Sequence, residues 1–240
     1  MPDTSTASLH WDYRDGRVAA VAAAVVYSLW VLEVVLPGGG AAQGALAEPG
    51  SPFGEFLDST HRTASILVIV AAALGLSLGT RRTRRWLLVS WWSMAAFGVL
   101  SLATSLLPGA CRVSTDVACA AESLVEGGQG ATLAQALLSV AAVVTALVSV
   151  IALAVNRWNA DDPAWLFVAV MAALQAVSAV AVLVLAGILY WSSGDGDPGV
   201  PLGLVQRAHL VTVALWLLTA GIVPGPWKRA HDGQETAAAR

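Results

Sequence analysis

Six stretches of about twenty apolar residues constrain what this chain can become. They run over about 18–36, 63–80, 86–107, 131–155, 164–191 and 204–223. A helix needs roughly 20 apolar residues to cross the hydrocarbon core of a bilayer. In lipid every backbone group must be satisfied within the structure, so a span is either a helix or part of a closed barrel. The alternating pattern of a barrel strand is absent. The expected fold is all-α, an integral membrane bundle of six transmembrane helices over 18–223. A polar segment at 1–17 and a polar tail at 224–240 flank it. Charged residues are 12% of the chain, about half the share of a soluble domain. A net charge of −3 gives no reason to expect a nucleic-acid partner.

Charge sets the expected direction of insertion. Arg14, Arg17, Arg81, Arg82, Arg84, Arg85, Arg157, Lys228, Arg229 and Arg240 fall on one side of the spans, but only Arg62, Arg112 and Arg207 on the other. Positive residues collect on the cytoplasmic side, which places both termini in the cytoplasm of a plasma (inner) membrane protein. The N-terminus lacks the order of a cleaved signal, so the first span is expected to be retained. Segments 37–62, 108–130 and 192–203 then face outward. Pro37, Gly38–Gly40, Pro49 and Pro52 argue against a continuous helix through 37–62, which reads as an ordered lid or a disordered segment. Cys111 and Cys119 lie eight apart in one outward loop and are the only cysteines. On an oxidising side they are expected to form a disulfide. No histidine neighbours them in sequence, so a metal site there is disfavoured.

Glu33 stands near the end of an otherwise uncharged run. A charge inside a span is costly, about 3 kcal/mol at the centre, and marks a partner or a function. The same membrane face carries Glu55, Asp58, His61, Arg62, Glu122, Arg207 and His209. Protonated in an apolar pocket, Glu33 could act as a general acid. Paired with Arg62 or Arg207, it would form a structural ion pair. The sequence leaves both open. No HExxH, phosphate-binding loop or nucleophile elbow is present. A zinc site of two histidines and a carboxylate lacks ligand spacing within any helix, so no metal and no cofactor are expected.

Within the spans, Thr132, Gln135, Ser139, Ala142 and Ser149 share one helical face, as do Ser90, Ser93, Phe97, Ser101 and Thr104. Such stripes let helices approach closely in lipid. Gln135 and Gln175, the latter three residues from Ser178, are candidates to line a cavity, with Gln135 the better placed. His209, Thr212 and Trp216 fall on one face and would set an imidazole above an indole. Trp86, Trp158, Trp165, Trp191 and Trp227 fit an aromatic belt at span ends. Trp30, Trp91, Trp92 and Trp216 lie deeper, either as core packing or as a π-lined pocket for a greasy or cationic group.

Several ordered motifs are similar to those of a known family. They are YSLWVLEVVLP at 27–37, SPFGEF at 51–56, HRTAS at 61–65, LPGAC at 107–111, DVACAAE at 116–122, QALLS at 135–139 and VQRAH at 205–209. Their order resembles the uncharacterised six-span bacterial membrane family numbered 998 among the domains of unknown function. The resemblance implies a six-helix bundle with a polar site at its outer face and carries no established activity. In that pattern an acidic residue often stands at Ser65 and a histidine at Gln135. Both differ here, leaving Glu33, Glu55, Arg62 and Arg207 as the retained polar core.

Two functions follow as expectations. The first is a membrane enzyme acting on a hydrophobic isoprenoid or lipid, possible chemistry being terpene-cyclase-like protonation and cyclisation of a prenyl chain. Glu33, Glu55, Asp58, His61 and His209 would be its acid and base groups, with Arg62, Arg207, Gln135, Trp30 and Trp216 holding substrate. The alternative is a non-catalytic lipid-binding, transport or accessory protein whose outer charges hold a head group. A purely structural ion-pair network is the third reading. The partner in the first two is a membrane lipid or hydrophobic small molecule, and the oligomeric state is not legible.

Overall fold

Ser51 and Pro52 begin the longest departure from the expected layout. In the computed structural model, the backbone N–H of Gly54 donates to the Ser51 hydroxyl at 3.0 Å, and that of Glu55 to the Ser51 carbonyl at 3.1 Å. Ser51 is thus a side-chain cap, and Pro52 takes the first helical position, where its missing N–H costs nothing. The helix continues to Leu78. At 1.5 Å per residue its 27 residues reach roughly 40 Å, more than the ~30 Å hydrocarbon core. Residues 52–62, expected in a loop, are therefore the first three turns of a helix. The structure describes residues 13–34, 51–78, 85–107, 111, 116–125, 130–192 and 202–223. The remainder of the expected 37–62 loop, and Trp227 and Arg112, lie outside these.

Seven α-helices and no strands occur among the described residues: α1 (Tyr13–Tyr27), α2 (Pro52–Leu78), α3 (Arg85–Leu106), α4 (Val117–Val125), α5 (Ala131–Trp158), α6 (Trp165–Trp191) and α7 (Leu202–Ile222). A tighter 3-10 segment, Ser28–Val34, prolongs α1. Six helical segments are long and apolar enough to cross a membrane, the first being Arg14–Glu33 and the others α2, α3, α5, α6 and α7. This is the layout of a multi-pass membrane protein. Each packs on the next, and α7 returns to α1, closing a ring in the order α1, α2, α3, α5, α6, α7. Short α4 packs against α5, α6 and α7, near the end where Cys111 and Cys119 lie. We call this the disulfide end, and the opposite one the arginine end.

Small residues set the spacing of the ring. A Cβ added to Gly98 on α3 would lie 2.7 Å from the Ile69 side chain and 3.1 Å from the Ser65 carbonyl on α2. Only glycine permits that approach. Ser90 and Ser149 each donate to the other's backbone carbonyl, at 2.9 and 2.8 Å, and tie α3 to α5. Most of both expected small-polar stripes faces inward: Ser90, Phe97, Ser101 and Thr104 on α3, and Gln135, Ser139, Ala142 and Ser149 on α5, are buried, while Ser93 and Thr132 are only partly so. On α6 the buried face, Val168, Ala172, Gln175, Ala179, Val182, Ala186 and Leu189, repeats every three or four residues, while Val177, Val180 and Val184 point outward. That outward apolar surface is what lipid requires. Trp92 belongs to it. It is 64% exposed, so it is neither core nor pocket, whereas Trp91 and Trp216 are buried.

Two polar turns close the layout. Asp116 caps α4 by accepting the Cys119 N–H at 3.0 Å. Between α5 and α6, Asp162 accepts the Ala164 N–H at 2.9 Å and binds Arg157 at 2.8 Å. Trp158 and Trp165 meet edge-to-face there, centroids 4.4 Å apart.

Candidate functional site

The second turn of α7 and the 3-10 segment bring together the only long-range ion pair among the described residues. Arg207 donates from Nε to Glu33 Oε1 at 2.6 Å and from Nη2 to Oε2 at 2.7 Å. Its Nη1 donates to the Gly203 carbonyl at 3.0 Å. The side chains are 9% and 10% exposed. A two-pronged guanidinium–carboxylate pair is the strong form of this interaction, and it fixes the 3-10 segment against α7. Of the two arginines considered as partners for Glu33, Arg207 is the one that binds it. Arg62 instead binds Asp58, one turn earlier on α2, at 2.6 Å. It also donates to the Ser105 carbonyl near the end of α3, at 2.9 Å. Glu55 is exposed and makes no ion pair among the described residues. The expected charge cluster is therefore two separate pairs and a surface carboxylate.

Below these pairs the ring interior is aromatic. Phe97 on α3 meets Trp216 on α7 edge-on, centroids 5.3 Å apart. Tyr27, the last residue of α1, lies 6.4 Å from Phe97 and contacts His61 edge-on at 4.9 Å. The three rings link non-adjacent helices, so they form a layer across the interior. Trp30 packs at the margin of this core and is only partly buried.

Around this layer sit polar groups with no hydrogen-bond partner among the described residues. Both ring nitrogens of His61 are buried and unbonded, as is Nε2 of His209. The Ser101 hydroxyl, one turn from Phe97, makes no bond, and neither does the Gln135 carbonyl oxygen. On α6, Gln175 is fully buried with both amide atoms unmet. His209 Nδ1 lies 3.1 Å from the Ser178 hydroxyl, which is 2.9 Å from that of Thr212. The expected face of His209, Thr212 and Trp216 thus points inward, and Ser178 completes it from α6.

Gln135 also holds a loop. Its amide nitrogen donates to the Cys111 carbonyl at 2.8 Å, which anchors the cysteine loop to α5. Cys111 and Cys119 form the expected disulfide, Cα atoms 5.7 Å apart. The Glu122 side chain lies outside the described residues. Among the described residues no three His, Cys, Asp or Glu side chains gather as a metal site would need.

Tyr27 is the residue that sequence reasoning missed. Its signal was its position: tyrosine favours membrane interfaces, and this one stands mid-span. Searched against protein-family models, curated proteins and solved structures, the chain matches none.

Proposed function

We propose that this is a multi-pass plasma (inner) membrane protein that binds an amphiphilic lipid or isoprenoid in the interior of its helix ring without transforming it. The observation that carries the reading is the fate of the carboxylates. Glu33 is held by both prongs of Arg207 and Asp58 by Arg62, so neither is free to begin acid chemistry. Glu55 faces outward. The unmet polar groups below them suit a bound head group better than an empty core, because an unpaired buried polar group costs about 1–3 kcal/mol. The aromatic layer and the valine-rich walls offer apolar contact to a tail.

The asymmetry of positive residues supports cytoplasmic termini and an extracytoplasmic disulfide end, and a disulfide at that end fits an oxidising compartment. Membership of the six-span family described above belongs to the same proposal and rests on its ordered motifs. One observation favours the enzyme reading instead. Rings of Tyr27, Phe97 and Trp216 beside His61 would stabilise a carbocation during prenyl cyclisation, with Glu33 as acid once released from Arg207.

Native mass spectrometry with lipidomics on the purified protein separates the two. The binding reading expects one discrete lipid, at the same mass, in wild type and Glu33→Gln. A changed mass in the variant would favour catalysis. Bulk phospholipid alone in both proteins would remove the binding reading.

A further inference from the structure

We infer that the ligand's head group is uncharged and both donates and accepts hydrogen bonds, as a hydroxyl does, and that Gln175 is its principal partner; this rests on the binding reading above. The inference comes from an inventory of what the interior leaves unmet. Gln175 offers two N–H donors and one carbonyl acceptor, none used. A neutral His61 ring offers one donor and one acceptor, both unused. The Ser101 hydroxyl can do either, and His209 Nε2 takes the role opposite to its Nδ1. These side chains come from α2, α3, α6 and α7, four of the six ring helices. All are at least nine-tenths buried.

Placement links them. Ser101 stands one turn from Phe97 towards the disulfide end, and His209 two turns from Trp216 in the same direction, so both share the inward faces of those rings. Gln175 lies three residues from Ser178, on its arginine-end side, and the Ser178 hydroxyl meets His209 and Thr212. His61 touches Tyr27. The unmet atoms thus come from residues at the aromatic layer or within about two turns of it, on four helices.

Among the described residues, charge argues against the main competitor, an anionic phosphate head. An anion taken from water into a low-dielectric interior needs a free cation. At this end Arg207 is committed to Glu33 and Arg62 to Asp58. Among the described side chains there, four carboxylates (Glu33, Glu55, Asp58, Asp116) face two guanidiniums. A phosphate also only accepts hydrogen bonds when fully ionised, leaving the Gln175 carbonyl unmet. A hydroxyl satisfies a donor and an acceptor at once.

The test uses the full chain in phosphatidylcholine nanodiscs, titrated with farnesol and with farnesyl monophosphate. We expect farnesol to bind wild type about tenfold or more tightly than the monophosphate. Gln175→Leu should weaken farnesol binding by at least about tenfold, the scale of one well-made hydrogen bond to a buried group. His61→Leu should weaken it as well, and Leu174→Ala, on the lipid-facing side of α6, should not. Monophosphate binding as tight as farnesol, or a Gln175→Leu variant that binds like wild type, overturns the head-group inference and leaves the binding reading standing. If neither probe binds, the interior holds water alone and both fall. Should Gln175→Leu misfold, His61→Leu and Ser101→Ala carry the same comparison.

Discussion

Arg17 and Arg157 at one end of the ring, and Arg207 and Arg62 at the other, use the same guanidinium for different ends. At the arginine end, Arg17 on α1 donates to the Gly221 and Ile222 carbonyls, at 2.8 and 2.9 Å. Arg157 on α5 reaches the Val223 carbonyl at 3.4 Å while bound to Asp162. Helix α7 leaves its last carbonyls without helical partners, and two other helices supply them. At the disulfide end the arginines neutralise carboxylates, and the neutral polar groups beneath stay unmet. One end is finished as structure. At the other, His61, Ser101 and His209 keep buried polar atoms without a partner among the described residues, and ionisable groups of that kind within a span mark a function.

The largest effect that would break this contrast is loss of one member of the buried pair. Glu33→Ala leaves the Arg207 charge buried and uncompensated, with an expected cost of about 3–5 kcal/mol. Replacing both, as Glu33→Leu with Arg207→Met, should restore most of that stability. Asp58→Ala should cost under about 1 kcal/mol, because the side chain of its partner Arg62 is 44% exposed. Denaturant unfolding in detergent measures all three. Equal losses for Glu33→Ala and Asp58→Ala would mean that burial does not separate the two pairs.

Next in size is the spacing of the ring. Gly98→Val would press a branched side chain into the Ser65–Ile69 backbone of α2, at about 1–3 kcal/mol. The expected readout is a lower melting temperature together with weaker farnesol binding, since α2 carries His61 and α3 carries Ser101. Unchanged binding in a destabilised variant would place the site away from the α2–α3 seam. Smaller again is Arg17→Met at the arginine end. It removes two bonds to carbonyls that water can partly replace, for about 1 kcal/mol, and should leave ligand binding untouched. A binding loss there would show that the two ends are coupled.

Much of this was legible in the chain and some was not, for identifiable reasons. The spans, the inward stripes of α3 and α5, the disulfide and the inward face of His209, Thr212 and Trp216 follow from period and composition. The start of α2 was hidden because Pro52 reads as a breaker, whereas after a capping Ser51 it is a starter. Its apolar positions, Phe53, Phe56, Leu57 and Ala64, keep a helical spacing that the polar Asp58–Arg62 stretch masks. The partner of Glu33 was a choice between Arg62 and Arg207, which only the ring closure of α1 on α7 decides. The bond from the Gln135 amide nitrogen to the Cys111 carbonyl could not be read from the chain, because a loop carbonyl carries no side-chain signature at all. Tyr27 meets His61 and Phe97 from three different helices, a coincidence that periodicity within one helix cannot express.

The smallest stability change belongs to Gln175→Leu, and its size is what gives it power. At the arginine end, removing Arg17 or Arg157 should cost stability, because each bonds backbone carbonyls of the α7 terminus. Here the amide is bonded to nothing among the described residues, and leucine has similar bulk. Removing the amide abolishes its desolvation cost, so stability should stay level or rise by about 1 kcal/mol even as farnesol affinity drops. Gains in stability paired with losses in function are the mark of a site that holds unfavourable groups for a purpose. Melting and binding measured on the same Gln175→Leu preparation decide it. A variant that loses both would make Gln175 an ordinary structural residue, bonded through a buried water, and the two ends of the ring would then differ only in which charges close them.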